Sequence, residues 1–552
     1  MAVLPPNVSQ QQFDTAIDRL KSVVGDEWVF TSDADIHAYR DHFSYIKDEP
    51  NELIPCAAVG PDSVEQVQAI VRIANEFQIP LYSISTGKNF AYGGPSPNVR
   101  GSLTVDLKRM DRVLEVDDKR NFALVEPGVS YIDLYNYIQE RGLKVWIDTP
   151  DPGWGSPIGN ALDHGIGYTL GPYRDHFSAH CGMEVVLPDG EILRTGMGAM
   201  PASDSWQEYK HGFGPDPAGL FGQGNFGIVT KMGFRLMPQP EHWRNGLITV
   251  PRRRDFIPMV DTVNYLTDLG MIGEPWYSGG LQALMNNTEF AEAANNFNEE
   301  EMDRQALAAG LPSWRVELQF YGSEGTTLAN WEYAKELMAR NIPGVQFTDG
   351  ESLPVPLTDE QIQKSSTPYE SSMRRNITQG RPGLGIWYMT GRTDFNPNAW
   401  NETHIGLFSL VGRSGEAVFK AQRDFADISK RLDMPGFFPN SLAGPVNWYQ
   451  NSFLMGNGFG AAKGNSPQQK KDATILLRRL LEENAKLGYG DYRAPPILQD
   501  DVADQYSFNN NILRRFNEKL KNAIDPNGII SPGRAGIWPE AYADLRGSHR
   551  ED

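Results

Sequence analysis

The chain has 552 residues, 40% of them hydrophobic and 22% charged, with a formal net charge of −19. That length suits two or three packed lobes, and the composition suits a folded enzyme rather than a disordered chain. The acidic balance argues against a nucleic-acid partner, whose phosphates need a basic face, and no apolar run reaches the roughly 18 residues that would span a membrane. Met1-Ala2-Val3-Leu4-Pro5-Pro6 lacks the basic-then-apolar pattern of a signal peptide. Cys56 and Cys181 are the only cysteines. Neither a disulfide framework nor an internal haem or cysteine-rich metal site is expected, and a reducing, cytoplasmic setting is the simpler expectation.

In chain order, Leu53–Val59 has the composition of a strand, and Ser63-Val64-Glu65-Gln66 has capping-box spacing. Val64, Val67, Ile70, Val71 and Ala74 recur at helical spacing, Pro80 stops the helix, and Leu81–Ile84 is again β-prone, which predicts a β-α-β unit over 53–84. Strands follow at Ser102–Leu107, Val113–Val116 and Phe122–Val125, then a helix capped by Ser130, then a hairpin around Pro188-Asp189-Gly190. From about 246 to 490 the texture changes. Longer helical stretches (Glu289–Ala309, Ala329–Arg340, Gly415–Arg431, Pro467–Leu487) alternate with strands such as Trp314–Tyr321, and the last 60 or so residues return to short motifs. Many strands with few helices between them predict α+β layers, not a doubly wound parallel sheet.

Three glycine-rich stretches compete as a cofactor loop. Gly222-Gln223-Gly224-Asn225-Phe226-Gly227 matches the dinucleotide pattern, but that motif must open a helix, and here Ile228-Val229-Thr230 continues as a strand. Ser85-Thr86-Gly87-Lys88-Asn89-Phe90-Ala91-Tyr92-Gly93-Gly94 directly follows a strand. Its glycines let backbone N–H groups approach phosphate oxygens, with Ser85 and Thr86 as added donors; a plain surface turn is the alternative. Trp154-Gly155-Ser156-Pro157-Ile158-Gly159-Asn160 offers further donors on the same terms.

Taken with Pro150-Asp151-Pro152-Gly153-Trp154-Gly155-Ser156, Gly165-Ile166-Gly167-Tyr168-Thr169, Arg194-Thr195-Gly196-Met197-Gly198, Gly488-Tyr489-Gly490-Asp491-Tyr492-Arg493 and Asp525-Pro526-Asn527-Gly528-Ile529-Ile530-Ser531-Pro532-Gly533, the 86–94 loop gives a motif order. That order resembles the vanillyl-alcohol oxidase and p-cresol methylhydroxylase family, closest to its bacterial eugenol oxidases. The resemblance runs nearly end to end and is weakest over 250–400. It implies a two-lobed FAD-binding domain from residues 1–245, rejoined by 490–552, and an α+β cap or substrate domain from 246–489. It also implies FAD phosphates on Ser85, Thr86, Gly87, Lys88, Asn89 and Gly93, with Ser156 and Gly159 beside them.

The implied reaction is hydride removal from the benzylic carbon of a para-substituted phenol of the 4-alkylphenol, eugenol or vanillyl-alcohol type, through a p-quinone methide that is then hydrated or tautomerised. An electron-rich phenolate is what carries the developing positive charge, so an arginine and two tyrosines around the phenolic oxygen, Arg493, Tyr92 and Tyr492, suit that chemistry. The resemblance places Asp151 beside the flavin N5, although Asp in Pro-Asp-Pro-Gly is also a good turn residue. Tyr168 lines the same pocket. His404, ahead of a strand around Phe408, is the implied covalent link to FAD; the tyrosine that methylhydroxylases use instead has no counterpart in Asn396-Pro397-Asn398-Ala399.

The chain departs from the family where a Met-His-His stretch is usual, and carries Asn447-Trp448-Tyr449-Gln450 instead. Trp448 should reshape the pocket, so a bulkier lignan-type phenol, or a non-phenolic alcohol, is the alternative substrate. The implied electron acceptor is oxygen or a separate cytochrome, and relatives form homodimers or larger homo-oligomers. No metal site is expected.

Overall fold

A computed structural model describes residues 3–89, 92–150, 153–356, 358, 380–382, 402–433, 446–449, 451–462 and 466–550. Among them, four β-strands form the first sheet: β1 (Val29–Phe30), β2 (Ala57–Val59), β3 (Leu81–Ile84) and β4 (Leu103–Asp106), in the order β1-β2-β4-β3. The β-α-β unit is present, but its two strands are not neighbours. β4 lies between them, parallel to both. Its helix, Val64–Phe77, buries Val67, Ile70, Val71 and Ala74 as the apolar spacing predicted, and Ile73 besides, while Val64 is only partly buried.

Two details differ from expectation. Leu53–Cys56 is not strand. Ser63 makes no capping bond, and the Gln66 side chain instead accepts the Asp62 N–H at 2.8 Å.

The second sheet is antiparallel: β5 (Val113–Asp117), β6 (Phe122–Val125), β8 (His180–Val186), β9 (Ile192–Arg194) and β10 (Ile228–Arg235), in the order β5-β6-β10-β8-β9. Since β10 begins one residue after Gly227, the glycine-rich 222–227 stretch opens a strand and not a helix, as expected. The short pair β7 (Val145–Trp146) and β11 (Met237–Pro238) leads out of this region.

Residues 242–462 build a third, antiparallel sheet: β12 (His242–Val250), β13 (Trp276–Gly279), β14 (Trp314–Gly322), β15 (Gln346–Pro354), β16 (Glu402–Val411), β17 (Val446–Tyr449) and β18 (Ser452–Ala462). Its order is β15-β12-β14-β13-β17-β18-β16. The helices Phe256–Asp268, Glu324–Asn341, Gly415–Arg431 and Pro467–Lys486 join it in one apolar core with Trp314, Phe320 and Trp331 at its centre. Each fully buried side chain of this size contributes about 1.5–3 kcal/mol.

The helix expected over 289–309 is two helices, Thr288–Asn295 and Glu299–Ala309. Phe297 takes a left-handed φ of 51°, and Asn298 caps the second helix through the Glu301 N–H. Asn298 and the three glutamates after it are the signals of a fresh helix start.

The C-terminal segment returns to the first sheet. Leu81 N–H donates to Ile529 O at 2.7 Å and Ser531 N–H to Leu81 O at 2.8 Å, so residues 529–531 pair with the outer edge of β3. Buried Lys521 donates to Asp525 at 2.6 Å and to Ile530 O at 2.7 Å, which fixes the turn that brings them there. Cys56 and Cys181 are buried and unbridged. No helix among the described residues is long and apolar enough to cross a membrane.

Candidate active site

The loop after β3 turns on Gly87, Gly93 and Gly94, all with positive φ (67°, 105° and 51°). A Cβ on Gly93 would lie 2.4 Å from Pro496 Cδ, so only glycine lets this loop meet the C-terminal segment. The successive N–H groups of Gly87, Lys88 and Asn89 donate to no described residue. A left-handed glycine in such a run turns neighbouring N–H groups into an anion-binding concavity, which suits a phosphate.

The stretch from Ser156 lies against the same loop. Ser156 caps the six-residue helix Pro157–Leu162 by accepting the Gly159 N–H at 3.5 Å, and a Cβ on Gly159 would stand 2.2 Å from Ser85 Oγ. Ser85, Gly159 and Ser156 are therefore in one place.

Tyr492 and Arg493 are held from three sides. Phe408 N–H of β16 donates to Asp491 Oδ2 at 2.9 Å and Leu410 N–H to Gly490 O at 2.9 Å. The Tyr506 hydroxyl donates to Asp491 O at 2.8 Å, and the Gln223 amide to Tyr492 O at 3.0 Å. Gln223 belongs to the glycine-rich stretch that looked like a dinucleotide loop; its use here is to brace Tyr492. The Arg493 guanidinium then sits 3.9 Å from the centre of the Tyr92 ring and 5.1 Å from that of Tyr492. Burial pushes the Tyr92 phenol up to about 12, although the Arg493 charge opposes the shift, so its hydroxyl stays protonated and able to donate. Tyr92, Tyr492 and Arg493 are thus brought together. Beside them lies a cavity of about 210 Å³ whose walls include Asp163, Asp491, Tyr492, Arg493 and Arg534.

Tyr168 stands outside that lining. It stacks on Trp276, with ring centres 5.2 Å apart and planes 14° from parallel. Its segment is pinned to Asp148, whose Oδ2 accepts the Thr169 N–H at 2.7 Å and whose Oδ1 lies 2.8 Å from His176 Nε2. The other ring nitrogen of His176 faces the Tyr131 hydroxyl at 3.0 Å. The buried pair Arg174–Glu274, 3.0 Å apart, fixes the opposite end.

His404 lies within β16, opposite Gly460, and not ahead of the strand as expected. Trp448 lies in β17. The side chains of both, and the whole of Asp151, fall outside the described residues.

Sequence reasoning missed Asp163. It accepts from the Asn89 amide at 2.7 Å and from Arg534 at 2.5 Å, and Arg493 lies 3.6 Å away. A lone carboxylate at the end of a short helix carries no spacing signal. Arg534, by contrast, immediately follows the Asp525–Gly533 motif and could have been noticed.

Comparison with known proteins identifies the family. A family model described as an FAD binding domain matches residues 55–196, the span holding both glycine-rich loops. The chain is 30% identical to the 4-cresol dehydrogenase [hydroxylating] flavoprotein subunit of Pseudomonas putida, over 97% of this chain and 98% of that protein. The structure of a 4-ethylphenol oxidase from Gulosibacter chungangensis superposes with a TM-score of 0.79 at 33% identity, covering 97% and 99% of the two chains. That of p-cresol methylhydroxylase with substrate bound gives 0.80 at 29% identity over the same shares. Near-complete coverage in both directions leaves no room for a different architecture, and the chain belongs to the vanillyl-alcohol oxidase and p-cresol methylhydroxylase family of FAD-dependent oxidoreductases.

Proposed function

We propose that the protein oxidises para-alkylphenols at the benzylic carbon, binding the phenol as its phenolate against Arg493. The observation that carries this is the Arg493 guanidinium, 3.9 Å from the Tyr92 ring centre and 5.1 Å from that of Tyr492, on the wall of a cavity that Tyr492 also lines. A guanidinium and two phenolic hydroxyls are the donor set an anionic phenol oxygen needs, and one well-placed donor of this kind lowers a barrier by about 3 kcal/mol. With the phenol ionised, loss of hydride leaves a neutral quinone methide instead of a cation.

The residues present fit FAD. The N–H groups of Gly87, Lys88 and Asn89 and the Ser85–Gly159 contact form the cradle for its phosphates. Bound FAD supplies the two-electron acceptor for the hydride. Tyr92 stays protonated and donates to the phenolate, while Asp163 and Gln223 keep the Arg493 segment in place. Asp151 is assigned to stabilise charge near the flavin and to assist water addition, and Trp448 to shape the substrate pocket; Tyr168, outside the cavity lining, is assigned to it only indirectly, through its stack on Trp276. Residues 1–245 with 490–552 form the cofactor-binding unit and 246–489 the cap. The electrons pass on to oxygen or to a separate cytochrome. These assignments rest on motif position and on the family relationship.

The test is anaerobic mixing with 4-ethylphenol while following the flavin's visible band. Rapid bleaching is expected with the phenol and none with its O-methyl ether; an ether that bleaches equally fast removes the phenolate step. His404 is assigned the covalent link. Acid precipitation should leave the wild-type pellet yellow and the His404→Ala pellet colourless, and a colourless wild-type pellet removes the link.

A further inference from the structure

Asp163 makes no contact with the phenol as placed above, yet three segments converge on it. Its Oδ2 accepts the Asn89 amide of the cofactor loop at 2.7 Å, its Oδ1 accepts Arg534 at 2.5 Å, and Arg493 Nη1 lies 3.6 Å from Oδ2. The Asp163 side chain is 9% exposed, Arg493 14% and Arg534 15%. Charges so little exposed are weakly screened, and a carboxylate at this distance changes what a guanidinium offers a second anion. The 3.6 Å separation is longer than a hydrogen bond, so Asp163 acts on Arg493 through charge. Arg534 is tied more tightly, to Asp163 and, at 3.3 Å, to the Tyr82 hydroxyl. One carboxylate thus serves two arginines on one cavity wall, and the wall keeps a single net positive charge from the three groups.

We propose, on the phenolate reading above, that Asp163 is a positioning residue that sets how strongly Arg493 favours an ionised over a neutral phenol, and that it ties this setting to the cofactor loop through Asn89. The charged and titratable groups around it are Tyr82, Tyr92, His164, Asp491, Arg493, Arg514 and Arg534. Asp491 also faces Arg493, but burial pushes its carboxyl well up against the pull of Arg493 and its hydrogen bonds; it keeps its donor, the Phe408 N–H, in every variant, so its own titration is common to wild type and variants and cancels in their comparison.

The probe is 4-nitrophenol, which has no benzylic hydrogen to lose and whose phenolate is read directly by its absorbance. It is titrated with pH while bound to the flavin-loaded wild type, Asp163→Asn and Asp163→Glu, with difference spectra against protein alone. Removing the charge should lower the ionisation midpoint of the bound probe by about one pH unit, a tenfold rise in the ionised-to-neutral ratio. The Glu variant, which keeps the charge, should stay near wild type. An Asn variant that binds the probe with an unmoved midpoint overturns the proposal. Failure of the wild type to bind the probe removes the phenolate pocket itself, and this proposal with it. If Asp163→Asn does not accumulate folded, Arg534→Gln asks the same question in reverse: it hands the whole carboxylate to Arg493 and should raise the midpoint, and an unmoved midpoint there overturns the proposal equally.

Discussion

Arg493 stacks 3.9 Å from the Tyr92 ring centre, a geometry available to a flat, delocalised cation and denied to an ammonium. Arg493→Lys keeps the charge but loses the stack and the fork of donors. Its kcat/KM for 4-ethylphenol should fall about 10²- to 10³-fold with FAD retained; steady-state kinetics beside the flavin-to-protein absorbance ratio check both halves. Gly159 is constrained by space alone. A methyl there would lie 2.2 Å from Ser85 Oγ and 3.3 Å from its Cβ, so Gly159→Ala must turn the Ser85 hydroxyl out of its place in the cradle or push its loop back. Flavin content of the purified protein should drop well below wild type, and full occupancy would show that the loop has slack. Arg493 was legible in the sequence because it ends a six-residue motif. Asp163, which restrains it, was not, since its partners Asn89, Arg493 and Arg534 are far away in the chain.

At the level of strands and helices, local signals located most of the elements and the β8–β9 hairpin around Pro188-Asp189-Gly190, but not the pairing of strands distant in the chain. Short β-prone runs mark the regions of β2, β3 and β4 as strands, but nothing in such a run says that β4 inserts between the others. The helix Gly415–Arg431 was legible to the residue because Ser414 caps it and Phe419, Phe425 and Ile428 mark one face. The break at Phe297 was lost because helical spacing continues on both sides of it. His404 was expected just ahead of the strand around Phe408 on the strength of the resemblance; β16 begins two residues earlier, at Glu402, and pairs with β18 through His404.

One prediction belongs to the second sheet. Glu184 on β8 is buried beneath Lys231 of β10 at 2.7 Å and Arg194 of β9 at 2.8 Å. Burial raises its carboxyl, but the hydrogen bonds and charges of Lys231 and Arg194 outweigh it, and the net shift is downward from the usual 4.5. A depressed carboxyl contributes stability that is present above the unfolded-state value and lost as pH falls through the folded one. Glu184→Gln should therefore cost about 1–3 kcal/mol near neutrality, and the difference from wild type should shrink below about pH 4.5. Denaturant unfolding at two pH values checks it, and a gap independent of pH would make the loss one of packing.

Across the whole molecule, the site is assembled from segments hundreds of residues apart. Asp163, Gln223, the 491–494 segment and Arg534 line the cavity, Tyr92 of the 85–94 loop lies against Arg493, and Phe408 of β16 holds Asp491, so the deciding groups come together only in the folded chain. This is why the reaction class could be inferred from the order of several motifs but the electrostatic balance at Asp163 needed three dimensions. It also bears on how the protein is made. The cofactor loop hangs from β3, and β3 gains its outer partner only from residues 529–531. Those residues leave the ribosome about 440 positions later, which at ~5–20 residues per second is on the order of half a minute or more. Throughout that interval β3 presents an open hydrogen-bonding edge to the rest of the nascent chain and to its neighbours on the polysome. The strand that carries the cofactor loop therefore gains its last partner only after nearly the whole chain has been made.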